Sequence, residues 1–334
     1  MRTYRPYSGK RSPLRFLLPL LLVVAAAIVI SLFAPKEPIP LPPGDPAAAD
    51  PPVPADPAAP LPVLPDERVE SGGERAVAPS DGGWQGASED ALRAFLGELS
   101  ALPHYRPDRA ARYLNYYGSE RYDAREILRI VNTDNDLIPY EDAVPADTGR
   151  DVLMLVNKLH DLGDYEPDDL VPLGKYGTYG ELRREAYDAF TSLVDAAKEA
   201  GYTLTSNSPY RSARLQQSVY NDYAHRNGTD EADTYSARPG FSEHQTGLVV
   251  DVSVYGSDYG ELDGTPEHDW LCAHAHEYGF ILRYGEGESH ITGYIPEAWH
   301  FRYVGVDAAA YIYAHGITFE EYYYYYVIGD DPMD

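Results

Sequence analysis

The sequence has one cysteine, Cys272, in 334 residues. A disulfide needs two thiols and a zinc knuckle needs at least a pair of thiolates, so neither forms within this chain. A metal ion bound by the chain would therefore depend on histidine and carboxylate side chains, which are the other common zinc ligands.

Positive charge is also scarce, because 27 Lys and Arg stand against 53 Asp and Glu and give a net charge of −26. Five of the cations lie in residues 1–15, which contain no acid, so the remainder carries 22 − 53 = −31. Nucleic-acid binding depends on clustered Lys and Arg that displace counterions from phosphates. The composition predicts no nucleic-acid partner.

Residues 16–34 form an uncharged, mostly aliphatic stretch that directly follows this basic segment. Nineteen residues in a helix are long enough to cross the roughly 30 Å core of a bilayer. The positive-inside bias then keeps residues 1–15 cytoplasmic and places everything after residue 34 outside. We expect a single-pass signal-anchor at the cell membrane; the alternative is a signal peptide whose cleavage releases a secreted protein.

Proline dominates the next segment, with thirteen prolines in residues 35–65, and residues 66–87 are polar and rich in glycine. Such a composition cannot build a core and favours extended polyproline geometry of roughly 3.1 Å per residue. Residues 35–87 are therefore predicted to be a linker that works as a semi-rigid stalk outside the membrane.

Helical periodicity begins near Ser88, and we divide the rest of the chain into three parts. Residues 88–150 are predicted to form a small helical lead-in and residues 151–321 the main domain. Residues 322–334 form an acidic, tyrosine-rich tail. Five consecutive tyrosines, Tyr322 to Tyr326, would cover every side of a helix, so we expect a packed terminal helix with exposed rings. Stacking of these rings on sugar is the alternative.

The main domain mixes helical and strand patterns. A capping-box spacing at Thr178 and Glu181 predicts a helix that ends at Gly201, and Ser212 is predicted to cap a second helix. Apolar, β-rich runs at 248–254, 280–282 and 299–303 predict strands. Without regular alternation of strand and helix, this order indicates an α+β fold with a mainly antiparallel sheet flanked by helices.

Two histidines and an aspartate lie at the ends of or within these strands. Asp251 lies in a valine-rich strand, where an unpaired carboxylate is costly to bury, so a cation is a natural partner. His244 precedes that strand and His300 begins another. Two histidines and one carboxylate leave the fourth position of tetrahedral zinc open for water, and Glu297 is placed to act as a base. The alternative is a hydrogen-bonded core aspartate near satisfied histidines.

Three motifs carry a resemblance to a known family. They are Tyr210-Arg211-Ser212, the Ser-x-His-x-x-Gly-x-x-x-Asp run from Ser242 to Asp251, and the Glu-x-x-His run from Glu297 to His300. Over residues 151 to about 321 the sequence resembles the VanY-like D-alanyl-D-alanine carboxypeptidases, which are zinc peptidases of bacterial cell-wall metabolism with a fold shared by the LAS and Hedgehog-like proteins. Val249 and Ala298 depart from the Ala and Pro usual in the family, which affects pocket shape rather than catalysis.

The resemblance implies one zinc ion per domain, and the ligands it implies are His244, Asp251 and His300. It makes Glu297 the catalytic base, Arg211 a substrate and oxyanion contact, and Ser242 a substrate contact. The implied reaction removes the C-terminal D-alanine from peptidoglycan stem peptides by metal-activated water attack; a serine-type mechanism is not expected. The catalytic domain would work on the cell-wall side of the membrane.

Three other functions stay open at this point. Two of them are enzymatic: an L,D-carboxypeptidase that acts on shortened stems, and a peptidoglycan endopeptidase of the same fold. The third is a non-catalytic cell-wall-binding module, although the presence of Glu297 together with all three predicted ligands argues against that.

Overall fold

The protein is represented by a computed structural model that describes residues 84–177, 179–254 and 261–329. The predicted basic segment 1–15, the predicted anchor 16–34 and most of the linker 35–87 lie outside these ranges. Every helix in the described part of the chain falls short of the apolar length that a membrane crossing requires.

The lead-in contains three helices: α1 (Glu89–Ser100), α2 (Ala110–Leu114) and α3 (Ala124–Asn132). The Ser88 hydroxyl accepts a hydrogen bond from the Ala91 amide and so caps α1. Asp123 and Glu126 form a reciprocal capping box at the start of α3. The three helices share one apolar cluster, whose fully buried members include Leu99, Tyr113, Leu114, Tyr116, Ile130 and Val131.

Two short strand pairs lead into the main domain. β1 (Val144–Pro145) pairs in parallel with β2 (His160–Asp161). β3 (Leu170–Pro172) pairs antiparallel with β4 (Glu181–Arg183).

The β3–β4 pairing corrects the predicted start of the first long helix of the main domain. This helix, α4 (Arg184–Glu199), begins only after β4. Glu181, which was predicted to lie in its first turn, pairs with Pro172 in the sheet instead. The proposed cap Thr178 lies outside the described residues.

Six further helices follow in the described residues of the main domain. Their bounds are α5 (Ala213–Asn227), α6 (Thr229–Tyr235), α7 (Pro266–His274), α8 (Ser289–Thr292), α9 (Val306–His315) and α10 (Phe319–Tyr322). The Ser212 hydroxyl accepts from the Leu215 amide, so the predicted cap of α5 is confirmed. A π-helical turn, Tyr323–Val327, continues α10.

The centre of the main domain is a four-stranded sheet. Its strands are β5 (Leu204–Ser208), β6 (Val249–Val254), β7 (Phe280–Tyr284) and β8 (Glu297–Tyr303), in the order β5-β6-β8-β7. Every neighbouring pair is antiparallel, which confirms the predicted mainly antiparallel sheet and the mixed helix and sheet class. Helix α4 packs on this sheet through Phe190, whose ring lies 6.1 Å from that of Phe280.

The prediction of exposed tyrosine rings is wrong. Tyr322, Tyr323, Tyr324 and Tyr325 are each at most 8% exposed. They pack against α9 and against the lead-in, where the ring of His104 stacks on Tyr325 at 4.0 Å between centroids. His160 is also buried, with Nε2 3.4 Å from the Tyr324 hydroxyl.

Candidate metal centre

Strand register brings two of the predicted ligands together. Asp251 in β6 stands directly opposite His300 in β8. Opposed residues on neighbouring antiparallel strands have Cβ atoms about 5 Å apart, which is close enough for both side chains to reach one ion. Because both strands are interior to the sheet, neighbouring strands hold this pair on each side.

His244 is brought to the same place by a short 3₁₀ turn, Glu243–Thr246, which precedes β6. Gly247 ends the turn with φ of +70°, a left-handed conformation that favours glycine, and a Cβ there would meet Arg183 at 3.0 Å. His244 Nδ1 lies 2.8 Å from the carbonyl oxygen of Pro209. A carbonyl only accepts, so Nδ1 carries the proton and Nε2 is left as a lone pair for a metal ion.

One potential ligand atom from each of His244, Asp251 and His300 lies within 4.8 Å of the other two. His244 Nε2 is 3.4 Å from Asp251 Oδ2, and His300 Nδ1 is 3.5 Å from Asp251 Oδ1. Asp251 Oδ1 is buried and accepts no hydrogen bond from the described residues. A buried carboxylate oxygen without a donor, next to two imidazole nitrogens, fits a divalent cation with the ligand types of zinc.

The ionisation of the three groups suits metal binding. Burial lowers the pKa of His244 and favours its neutral form. Burial opposes ionisation of Asp251, but the neighbouring His244 holds the pKa of that carboxyl below its ordinary value. Burial would also lower the pKa of His300, yet carboxylates on both sides of its ring raise it to about 9. Because a metal ligand must be neutral imidazole, an ion would displace a proton from His300.

Glu297 opens β8 and lies beside this group of ligands. Its Oε2 is 3.2 Å from His300 Nδ1, and the residue is 7% exposed. Glu297 lies three residues before His300 in β8. The pairing register of β8 with β7 shifts between Leu282 and Tyr284 of β7, and Glu297 pairs with Tyr284. The Glu297 carboxylate is therefore next to the three candidate ligands but is not one of them.

Arg211 lies next to the ligands and is held in place at both ends of its guanidinium. Nη1 donates to Gln216 Oε1 and Nη2 to Ser208 Oγ, each at 2.7 Å. Gln216 is in turn buried and donates to the Ala237 carbonyl at 2.6 Å. The Gln216 contact could not be predicted from the sequence, because a glutamine on a helix is ordinarily a solvent-facing residue.

Ser242, the remaining predicted site residue, precedes the 3₁₀ turn and is 4% exposed. Its carbonyl accepts from the Gln245 amide at 3.1 Å, which fixes the backbone two residues before His244. The structure therefore brings His244, Asp251 and His300 together, with Glu297 and Arg211 beside them. Ser242 is held two residues before His244 by its backbone contact.

A buried group of charges behind His300 was not predicted. Glu243 Oε1 accepts from Arg283 Nε at 2.9 Å and from Arg302 Nη1 at 3.0 Å. Glu320 accepts two further hydrogen bonds from Arg283. These four side chains are at most 1% exposed, and His300 Nε2 lies 3.3 Å from Glu243 Oε2. Glu243 lies inside the Ser-x-His motif, but the sequence alone assigns it no role.

Comparison with known proteins identifies relatives of the main domain. A model of the VanY family, described as D-alanyl-D-alanine carboxypeptidase, matches residues 180–306. The putative carboxypeptidase YodJ of Bacillus subtilis is 38% identical over 57% of this chain and 73% of its own length. The bifunctional D-Ala-D-Ala dipeptidase and carboxypeptidase VanXYC of Enterococcus gallinarum is 34% identical over 51% of this chain and 93% of its own.

A solved structure is also similar to this chain. The LD-carboxypeptidase LdcB is 37% identical, with a TM-score of 0.52, and the match covers 55% of this chain and 90% of that structure. The match with VanXYC covers nearly the whole of that relative at more than 30% identity. The resemblance carried by the Arg211, Ser242–Asp251 and Glu297–His300 motifs is thereby confirmed, and the chain belongs to the VanY family of D-alanyl-D-alanine carboxypeptidases.

Proposed function

We propose that the protein is a zinc-dependent D,D-carboxypeptidase that removes the C-terminal D-alanine from peptidoglycan stem peptides. The single observation that carries this proposal is the convergence of His244, Asp251 and His300, with ligand atoms within 4.8 Å, beside a buried glutamate. The family match and the relatives named for D-alanyl-D-alanine cleavage support the substrate class.

The donor set suits zinc. His244 offers Nε2, His300 offers Nδ1 and Asp251 offers a carboxylate oxygen without a donor. When bound, zinc acidifies a water molecule to a pKa of about 7 and polarises the scissile carbonyl. Two imidazoles and one carboxylate leave a coordination position open, as hydrolytic sites require.

Glu297 is the proposed proton carrier. It stands next to the ligands, with Oε2 3.2 Å from His300 Nδ1, and so can take a proton from the attacking water at that position. The same carboxyl then passes the proton to the leaving amine of the C-terminal residue. Its burial keeps bulk water from competing for that proton.

Arg211 is the proposed anion contact. Gln216 and Ser208 hold its guanidinium by two 2.7 Å hydrogen bonds, so the Arg211 side chain is already in a fixed position before substrate binds. Its positive charge reaches the ligands, since it contributes to lowering the pKa of both His244 and Asp251 after the larger effects of burial and of the Asp251–His244 pair. A fixed cation at this point stabilises either the developing oxyanion or the substrate carboxylate.

The choice between D,D and L,D cleavage is the sharpest test of this proposal. LdcB, a similar solved structure at 37% identity, is named as an LD-carboxypeptidase, so the L,D alternative has a specific basis. The zinc-loaded full chain should be offered a pentapeptide stem that ends in D-Ala-D-Ala and the tetrapeptide that lacks the last residue. Released alanine is measured by mass spectrometry.

We expect release from the pentapeptide and little from the tetrapeptide. Release from the tetrapeptide alone would overturn the D,D assignment in favour of L,D cleavage. No release from either peptide by a chain that carries zinc would favour the non-catalytic module. Cleavage within a cross-linked dimer of stems, without loss of terminal alanine, would favour the endopeptidase.

We also propose that the domain works outside the cell membrane, held by residues 16–34 and carried on the linker 35–87. The support is the uncharged nineteen-residue run that follows five cations, and the proline-rich segment after it. Protease added to intact cells should remove the domain while a tag on residues 1–15 stays protected. A protein found entirely in the culture medium would instead indicate signal cleavage.

A further inference from the structure

We propose that Glu243 is a positioning residue for the metal centre, where it holds the His300 ring so that Nε2 carries the proton and Nδ1 faces the ion. This inference rests on the proposed zinc site and adds a residue to it that touches neither substrate nor metal. Glu243 directly precedes the proposed ligand His244 in sequence, but its side chain contacts the other proposed histidine ligand, His300.

The geometry around His300 separates its two nitrogens. Nε2 lies 3.3 Å from Glu243 Oε2, whereas Nδ1 lies 3.5 Å from Asp251 Oδ1 and 3.2 Å from Glu297 Oε2. Asp251 and His244 are on the Nδ1 side, so the ion belongs there. A carboxylate that accepts from Nε2–H then fixes both the tautomer and the orientation of the ring.

Two arginines fix the carboxylate itself. Arg283 Nε and Arg302 Nη1 both donate to Glu243 Oε1, at 2.9 and 3.0 Å, which leaves Oε2 for His300. All three side chains are at most 1% exposed. Arg302 is anchored further by donating to the carbonyls of Val152 and Met154 at 3.0 and 2.8 Å. Glu243 Oε1 therefore contacts the two arginines, and Oε2 contacts His300.

Charge balance lets this group of four side chains be buried. Glu320, at the C-terminal end of the chain, pairs with Arg283, so two carboxylates face two guanidinium groups. A buried ion pair that loses one partner is strongly destabilised, whereas a fully paired set is tolerated. The four groups thus form a neutral buried support behind His300.

The support continues to the tyrosine run. Asn157 Nδ2 donates to Glu320 Oε1 at 3.3 Å, and Asn157 Oδ1 lies 2.9 Å from His160 Nδ1. His160 Nε2 in turn lies 3.4 Å from the Tyr324 hydroxyl. These contacts connect the charges that support His300 to the buried tyrosine run.

The isosteric amide distinguishes positioning from packing. In Glu243→Gln the two arginines require the amide oxygen on their side, because both donate there. The amide nitrogen then faces His300 Nε2 and donates to it, which favours the tautomer with the proton on Nδ1. That proton occupies the nitrogen proposed to bind the ion, so zinc binding becomes weaker although the shape of the side chain is unchanged.

The test is the zinc affinity of the full chain, measured by competition with a chromogenic chelator, for wild type, Glu243→Gln and Glu320→Gln. Both variants remove one buried carboxylate charge from Arg283, so Glu320→Gln is the matched control for destabilisation. We expect Glu243→Gln to raise the zinc dissociation constant about 10- to 100-fold, and Glu320→Gln to raise it less than about 3-fold. Cobalt-substituted protein should show altered visible absorption bands for Glu243→Gln alone.

Equal zinc affinities and equal cobalt spectra for the two variants would overturn the inference, since Glu243 would then matter only for packing. Histidine nitrogen-15 spectra of the wild-type chain provide a readout that does not need a folded variant. We expect zinc to shift His300 Nδ1 while Nε2 keeps its proton. Zinc on Nε2 would overturn the inference, and a wild-type chain that binds no zinc would overturn the proposed function and this inference with it.

Discussion

Arg129 of the lead-in donates from Nε to Glu321 Oε1 at 2.7 Å, although 192 residues separate the two in sequence. The same guanidinium donates from Nη2 to Glu288 Oε2 at 2.5 Å, just before α8. Glu321 is 3% exposed and also accepts from the Thr318 amide in a capping box. The lead-in is thus tied by one arginine to both α10 and a loop of the main domain.

Replacement of this arginine should destabilise the protein. Arg129→Ala leaves the Glu321 carboxylate buried without its cation, and breaking such a pair costs about 3 kcal/mol. Arg125→Ala, on the exposed side of the same helix, is the control and should change stability by less than about 0.5 kcal/mol. Urea unfolding of the two variants measures this difference. Equal midpoints would show that the lead-in is not held by this contact.

Glu297 offers the simplest test of the proposed base. Glu297→Gln keeps the size of the side chain but cannot take a proton, so turnover of the pentapeptide should fall about 100- to 10,000-fold. Zinc content should stay at the wild-type level, because Glu297 is not among the three proposed ligands. Full activity in this variant, with zinc bound, would show that another group carries the proton.

Arg211 tests the proposed anion contact. Arg211→Ala removes the guanidinium that Gln216 and Ser208 hold, and loss of such a contact typically lowers turnover on the order of 100-fold. Arg214→Ala removes an exposed cation one turn further along and should leave turnover unchanged. If both variants lose activity equally, the effect comes from overall charge rather than from a positioned contact.

Lys158 is expected to make the stability of the protein depend on pH above neutral. Its ammonium group donates to the Gly293 carbonyl and lies 4.4 Å from the centre of the Tyr294 ring. Burial lowers the pKa of Lys158 to about 8, against an ordinary value of 10.5, while Asp233 opposes the change. Since the folded state binds fewer protons than the unfolded state between these two values, stability should rise with pH across that window.

Comparison with Lys158→Met isolates this contribution. From pH 8 to 10 the wild type should gain stability relative to the variant, by on the order of 1–3 kcal/mol, because only the wild type releases a proton from a buried ammonium. Urea unfolding at several pH values measures the difference. A difference that stays constant, or falls with pH, would show that the Lys158 ammonium is stabilised rather than desolvated.

The sheet and the ligand group could be predicted because their signals are local. The valine-rich run around Asp251 and the aromatic run after His300 each have the composition of a strand, and a charged residue within such a run is conspicuous. The start of α4 was missed because β3 and β4 pair across eight intervening residues or more, and that pairing overrides the capping signal near Glu181.

The support behind His300 could not be predicted because its partners are distant in sequence. Glu243 meets Arg283 across 40 residues and Arg302 across 59, and each of these charged residues alone is typical of a solvated surface. The burial of Tyr324 and Tyr325 was missed for the same reason, since their neighbours His160 and His104 are far from them in the sequence.

The most direct test of the central claim, that His244, Asp251 and His300 hold one zinc on which D-alanine release depends, is a metal titration. Chain freed of metal by a chelator should release no alanine from the pentapeptide. Activity should rise with added zinc and stop at one equivalent, while Asp251→Asn shows no such rise. Release by the metal-free chain, or a rise that is the same in Asp251→Asn, would contradict the account.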